Sequence, residues 1–363
     1  MKYALAQKYG TYSRVAAKLL EAKLFKKRMP VMVELQVNKE CNLRCTYCYA
    51  QLETLAHQAS LTLAQIKAII DELHGMGMRV MRILGGEPLL RKDIGEIIRY
   101  LRDRNVFIEL STNCTLLKAL SRQIHELALL DVLQVSIDGN EAATDAVRGS
   151  GTYARIIEGI EAGLEAGLPI RLHGVYNKFS IEASPESPVA HLARLSEKYR
   201  VPFNFCQYVS SIDGKKDAAY IEHSQIMGRG FYAESLQYKK KGYRFFNSFD
   251  ALEQIMHWPD ERREFLFEAD TIPAGFNRCR GGQLYCFIDS DGSMYPCVPL
   301  WKKGLNINEV GIKKAWEFLE AVRHKAQCFS CVSMGDIEFS KTMSLNPKVL
   351  WNTFRQVFLI RKK

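Results

Sequence analysis

The sequence has no apolar run approaching the roughly 20 residues that a membrane span needs. Its first residues, MKYALAQKYG, lack the apolar core and small-residue cleavage site of a secretory signal. No internal repeat and no low-complexity stretch is present. With 47% apolar and 25% charged residues, the composition is that of a globular chain rather than a disordered one. These absences set the expectation of a cytoplasmic protein. In that compartment thiols stay reduced, so a disulfide framework is not expected. The chain nonetheless holds ten cysteines among 363 residues. Clustered cysteines in a long cytosolic chain point to metal.

A formal net charge of +10 favours anionic partners such as phosphorylated substrates, a nucleic acid backbone or a membrane surface, although many cytosolic proteins are basic without local cause. No recognised nucleic-acid module accompanies the charge, so nucleic acid is not expected as a partner.

From residue 31 the sequence alternates β-rich runs with helical-period runs. Strands are expected at 31–37, 79–84, 106–111, 132–137, 169–175 and 201–208. Amphipathic helices are expected near 62–75, 92–104, 116–128, 152–166 and 186–199. The first opens with Thr62 and has Gln65 three residues on, a capping box. Such alternation means parallel βαβ units and an α/β class, as an open doubly wound sheet or a partial barrel. After about residue 210 the strand rhythm stops. Runs at 284–288 and 293–298 then flank Asp289-Ser290-Asp291-Gly292 and read as a hairpin. The expected division is a basic amphipathic N-terminal helix (1–29), a core (30–235), a smaller C-terminal domain (236–345) and a basic aromatic tail (346–363).

Cys41, Cys45 and Cys48 follow the first strand within one loop. Three thiolates so placed can ligate three irons of a cubane cluster and leave the fourth open to a small molecule; an electron-transfer cluster takes four. A zinc site is the rival reading, and His57 is the only nearby residue that could complete it.

The spacing Cys41-x3-Cys45-x2-Cys48, with Tyr47 before the last cysteine, resembles the defining motif of the radical S-adenosylmethionine superfamily. Gly85-Gly86-Glu87-Pro88 resembles that family's GGEP segment, and Ser111-Thr112-Asn113 follows at the end of the third strand. The stretch from Ser136 through Asp138 and Arg148 to Gly151 resembles the SIDG and RG.G pattern of the peptide- and sugar-modifying branch. All lie at C-terminal strand ends, where parallel α/β folds bind ligands. The resemblance implies a partial (β/α)6 TIM-like barrel. It implies S-adenosylmethionine on the open iron, with Gly85, Gly86 and Glu87 at the amino group and Arg148 at the carboxylate. Tyr47, Ser111, Asn113, Ser136 and Asp138 would be further cofactor contacts. Strand-end turn residues are the alternative reading of the polar ones.

In the C-terminal region, Cys279, Gly292, Cys297, Cys328 and Cys331 resemble the start of the SPASM pattern and its shortened twitch form. No cysteine follows Cys331, so one auxiliary [4Fe–4S] cluster on Cys279, Cys297, Cys328 and Cys331 is implied, in a hairpin-plus-helix domain. A zinc ribbon is the other reading. Cys286 falls outside the pattern and reads as a buried strand residue. Cys114, after the Asn113 turn, reads as structural too.

The resemblance implies reductive cleavage of S-adenosylmethionine to a 5′-deoxyadenosyl radical, fed by an electron donor such as flavodoxin or ferredoxin, and hydrogen abstraction from a substrate. An auxiliary cluster would take the second electron of a net oxidation. A redox-neutral epimerase would instead need a hydrogen-atom donor, for which Cys206 is the candidate; its neighbours Phe203 and Phe205 equally suit an ordinary buried strand. Relatives that modify peptides often carry an N-terminal recognition domain, and only some thirty residues precede the first strand. A small-molecule substrate (sugar, alcohol or lipid-linked) is therefore expected, with a peptide maturase as the alternative. Val15, Ala16, Leu19, Leu20, Leu24 and Phe25 share a helical face ringed by lysines, and the last fifteen residues are aromatic and basic. Such helices can lie on anionic membranes or pack on their own domain.

Overall fold

The computed structural model describes residues 2–48, 60–209, 229–260 and 263–359. Six parallel strands run in sequence order across one sheet: β1 (Met32–Gln36), β2 (Val80–Leu84), β3 (Phe107–Thr112), β4 (Val132–Ser136), β5 (Ile170–Tyr176) and β6 (Phe203–Gln207). Each expected strand is found, within one or two residues at its ends. The helices Leu63–Gly75, Ile94–Asp103, Thr152–Glu165 and Pro188–Tyr199 cover the outer face, as expected. The Thr62–Gln65 capping box is formed at the first of them. The third expected helix, 116–128, is instead a short helix Leu117–Leu120 followed by a 3₁₀ stretch, His125–Leu129.

The strands place apolar residues outward against these helices. Ile66, Ile70, Leu73, Ile97, Ile98, Ile156, Ile160 and Leu192 are fully buried there. Burial of this kind contributes about 1.5–3 kcal/mol per large aliphatic side chain. The inward positions differ, because each strand carries a polar residue between apolar neighbours: Glu34, Arg82, Glu109, Gln134, Arg171 and Asn204.

The sheet does not end at β1. The hairpin of β8 (Tyr285–Ile288) and β9 (Ser293–Tyr295) joins it, with β8 parallel to β1, and β10 (Leu305–Asn306) completes the order β10-β9-β8-β1-β2-β3-β4-β5-β6. The expected hairpin is thus present, and it is welded to the barrel sheet. The barrel remains partial. At the β6 edge Phe203 bonds to Arg244 O and accepts from Phe246 N, and the helix Met334–Met343 fills the gap between the first and sixth strands. A separate antiparallel pair joins β7 (Phe265–Phe267) to β11 (Cys328–Cys331).

The N-terminal helix Lys2–Leu24 closes the barrel floor. Leu19 and Ala22 are buried with Met29, Val31, Leu284 and Met343, and Tyr12, Val15 and Leu19 face the barrel interior. Leu20, Leu24 and Phe25 stay exposed, as do Trp351 and Phe354 on the helix Pro347–Leu359. Among the described residues no helix is long and apolar enough to cross a membrane.

Candidate active site

The cluster loop is fixed by its backbone before any ligand is considered. Gly86 N donates to Asn38 O at 2.8 Å, Glu87 N to Glu40 O at 2.7 Å, and Thr46 N to Val147 O at 3.0 Å. A Cβ on Gly86 would sit 2.3 Å from Glu40 O and 2.5 Å from Lys39 O, and one on Gly85 2.2 Å from Asn38 Oδ1. The expectation was that these glycines let backbone approach a ligand. The approach seen is to the cysteine loop itself.

Cys41, Cys45 and Cys48 all line one cavity of about 490 Å³ that runs down the barrel interior. Cys41 Sγ accepts from Leu43 N at 3.4 Å and lies 3.8 Å from Asn113 Nδ2, while Arg148 Nη1 lies 4.0 Å from Cys45 Sγ. Donors and a guanidinium around the sulfurs suit thiolate ligands of an iron–sulfur cluster. Without a cation the thiols of Cys41 and Cys45 are pushed up by burial, a direction that a bound metal inverts. His57 lies outside the described residues.

The other cofactor candidates divide into two groups. Tyr47, Gly85, Gly86, Ser111, Asn113, Ser136 and Arg148 line the cavity. Glu87 and Asp138, each 0% exposed, do not reach it. Glu87 accepts from Thr112 Oγ1 at 2.8 Å, Asn113 N at 2.7 Å and Leu89 N at 3.1 Å. Burial raises its pKa to about 6 against those bonds. It ties the ends of β2 and β3 together. Asp138 accepts from Arg148 Nε at 2.6 Å, Tyr47 Oη at 2.9 Å and Val175 N at 2.9 Å. Its carboxylate is thus held by three donors of the protein itself. Arg148 ends the helix Glu141–Arg148, where Gly149 takes φ +100 at the C-cap. Its Nε and Nη2 are committed to Asp138 and Tyr47. Only Nη1 is turned toward the cluster loop.

Deeper in the cavity, Cys206 Sγ is 3.6 Å from His173 Nε2. Burial pushes the thiol up to about 12 and the imidazole down to about 4, so both are neutral at physiological pH. Below them lies the polar ring that sequence reasoning missed. Its signal was present: one polar residue centred between apolar neighbours in each of six strands. Cys114 is fully buried at φ +66 with its thiol donating to Ile156 O, and Cys286 is buried in β8; neither lines the barrel cavity or the smaller one at Cys279.

Cys279, Cys297, Cys328 and Cys331 come together around a second, small cavity with Arg323 and Asp336. Tyr285 Oη is 3.1 Å from Cys279 Sγ and donates to Asp336 Oδ1 at 2.8 Å. Gly281 N donates to Cys279 Sγ at 3.4 Å. Asp336 and Pro299 line both cavities. Among the described residues, no three of the His, Cys, Asp and Glu side chains converge on one ion-sized point. A cubane takes its thiolates at separate irons.

Residues 35–182 match the model of the Radical SAM superfamily. The chain is 28% identical to the AdoMet-dependent heme synthase of Methanosarcina barkeri, over 81% of this chain and 84% of that protein. It is 32% identical to the Fe-coproporphyrin III synthase of the same organism, over 77% of this chain and 63% of that one. It is 24% identical to the mycofactocin maturase MftC of Mycolicibacterium smegmatis, over 85% and 76%. Among solved structures, Streptococcus suis SuiB superposes with a TM-score of 0.61 at 16% identity, over 85% of this chain and 71% of that one, a likeness of fold.

Proposed function

Because this chain belongs to the radical SAM superfamily, we propose that it abstracts a hydrogen atom from a small-molecule substrate held in the barrel cavity. When bound, a [4Fe–4S] cluster on Cys41, Cys45 and Cys48 with S-adenosylmethionine supplies the 5′-deoxyadenosyl radical, and an auxiliary [4Fe–4S] cluster on Cys279, Cys297, Cys328 and Cys331 accommodates the second electron of a net oxidation. The expected boundaries at residues 235 and 345 assign the two cysteine sets to different segments, although β8, β9 and β10 of the second segment join the sheet of the first.

The observation that carries this reading is the continuity of one cavity from the three thiols past Ser111 and Ser136 to His173 and Cys206. The protein's own contribution is to hold that wall rigid. Glu87 fixes two strand ends, and Asp138 fixes Tyr47 and Arg148. The backbone of the glycine pair and the side chains of Ser111, Asn113 and Ser136 are left on the wall as cofactor contacts. Two relatives named for making heme and Fe-coproporphyrin III favour a small molecule. The match to a maturase over 85% of the chain favours the second reading, a peptide maturase. A short precursor peptide encoded beside the gene and modified by the enzyme would decide for it.

Anaerobic reconstitution with iron and sulfide tests the reading. About eight irons per chain with 5′-deoxyadenosine formation is expected from two cubanes. About four irons with cleavage intact removes the auxiliary cluster; zinc without cleavage overturns the reading. A flavodoxin or ferredoxin should replace a chemical reductant. Exposed Leu20, Leu24, Phe25, Trp351 and Phe354 beside basic residues support peripheral contact with an anionic membrane, which fails if the protein does not sediment with anionic vesicles.

A further inference from the structure

The polar ring inside the barrel balances two guanidiniums against two glutamates, but it shares them unevenly. Arg82 donates to Glu34 and, through Nε, to Glu109 Oε1 at 2.9 Å. Arg171 Nη2 donates to that same Oε1 at 2.7 Å and to Gln134 Oε1. One glutamate therefore serves two guanidiniums, while Glu34 serves Arg82 alone. On the next strand the inward residue is neutral Asn204, opposite His173, with its own Oδ1 buried and without a partner among the described residues. The ring of Phe246 lies 4.4 Å from the Arg171 guanidinium carbon and holds it in place.

Arg171 is 4% exposed, lines the cavity, and its Nε is buried with no hydrogen-bond partner among the described residues. A buried cationic donor without an acceptor costs free energy, and in native proteins such a group meets a ligand, an ion or water. The titration behaviour agrees with the geometry. Burial works against both guanidiniums. Glu109 and Glu34 outweigh it at Arg82, whose pKa is raised; at Arg171 burial prevails over Glu109 and the pKa is lowered.

We propose that Arg171 is the anchor for a carboxylate of the substrate, which enters the barrel acid-end first. The proposal rests on the reading of this cavity as the substrate site and names the substrate class. A carboxylate supplies a negative charge and an acceptor oxygen for the buried guanidinium donor left open among the described residues, Nε, since Nη2 is taken by Glu109 and Gln134. A phosphate dianion would bring two negative charges to a ring whose two guanidiniums already face two glutamates. His173 lies two residues farther along β5 on the same inward face, with Cys206 beside it. An acid held at Arg171 thus extends past these two toward the cluster loop.

The test uses the full reconstituted chain and fluorine NMR with three probes: 4-fluorobenzoate, 4-fluorobenzamide and 4-fluorophenyl phosphate. The benzoate should bind in preference to the other two. Arg171→Gln should weaken it by at least about tenfold, the scale of one charge-assisted hydrogen bond, and Arg171→Lys should keep the preference for the acid. Thermal melting checks that the variants fold; if Arg171→Gln does not, the lysine variant and the wild-type probe series decide. Equal binding of acid and amide, binding of neither, tighter binding of the phosphate, or unchanged benzoate binding in Arg171→Gln overturns the proposal. Cleavage of S-adenosylmethionine by the wild type, measured in parallel, separates the two failures. Cleavage without acid preference removes only the carboxylate anchor, and no cleavage removes the reading it rests on.

Discussion

Asp138→Asn separates an internal brace from a cofactor contact. Asp138 is fully buried and pairs with Arg148, itself 7% exposed. The same carboxylate accepts from Tyr47 Oη and Val175 N. Asparagine keeps the shape and one acceptor, enough for Val175 N. Its amide nitrogen, however, points a donor at groups that also donate, and Arg148 keeps a buried charge with no counter-ion. Breaking one partner of a buried pair costs about 3–5 kcal/mol, a large part of a total stability of roughly 5–15 kcal/mol.

In a chain of 363 residues, size scaling converts each kcal/mol into roughly 1–2 °C of melting temperature. The variant should therefore melt roughly 5 °C lower by circular dichroism, without clusters and without S-adenosylmethionine. Asp138→Asn combined with Arg148→Gln should lose less than the single variants added together, because it leaves no orphaned charge. A ribose contact predicts a different pattern: unchanged melting of the cofactor-free protein and a smaller stabilisation by S-adenosylmethionine. If the single variant melts within about 1 °C of wild type, the brace is refuted and Asp138 returns to the list of cofactor contacts.

Gly86→Ala would force the cysteine loop away from β2, since its Cβ meets two backbone carbonyls. A cost of about 1–3 kcal/mol and reduced iron loading at Cys41, Cys45 and Cys48 are expected; normal loading by iron analysis would sink this account. Glu338 is buried, accepts from Ser248 N at 2.9 Å and Ser248 Oγ at 2.8 Å, and has its pKa raised by burial from 4.5 to about 7, against Ser248, Lys239 and Lys341. A raised folded-state value means that its stabilising contribution is full below pH 4.5 and is lost as pH rises through about 7. The melting temperature of Glu338→Gln relative to wild type should accordingly rise from pH 4.5 to 8, and a flat or falling difference contradicts it. Cys206→Ala should abolish turnover if the reaction is a redox-neutral epimerisation, since a neutral buried thiol retains the hydrogen atom such a step needs; full turnover of the product removes Cys206 as donor.

The parts of this protein that were legible in the sequence are those where spacing along the chain is itself the structural constraint. A three-cysteine loop must be contiguous to hold one cluster, and a βαβ unit must alternate to cover a parallel sheet. What the motifs could not convey is which way a side chain turns at a strand end. Glu87 and Asp138 sit within the motif but turn inward, because two strand ends and a buried guanidinium both needed an acceptor. Arg148 is likewise half committed before any cofactor arrives. The hairpin was readable from Asp289 to Gly292, yet its parallel docking on β1 was not, since register between distant strands leaves no local pattern.

The polar ring is an intermediate case. A charged residue in the middle of an apolar strand reads by itself as an outward, solvated position or an edge. Six strands that each place one there, all facing the same interior, cannot be explained by solvent exposure. Burying Glu34, Arg82, Glu109 and Arg171 together costs desolvation that their mutual pairing only partly offsets. An apolar interior of equal volume would be no less stable. The retained charges therefore make sense if the interior must receive something polar. Their imbalance, two guanidiniums on Glu109 and an unpartnered donor at Arg171, locates where that polar group would sit. A barrel evolved only to hold its cofactors at the strand ends would have no reason to keep that donor unsatisfied so far below them.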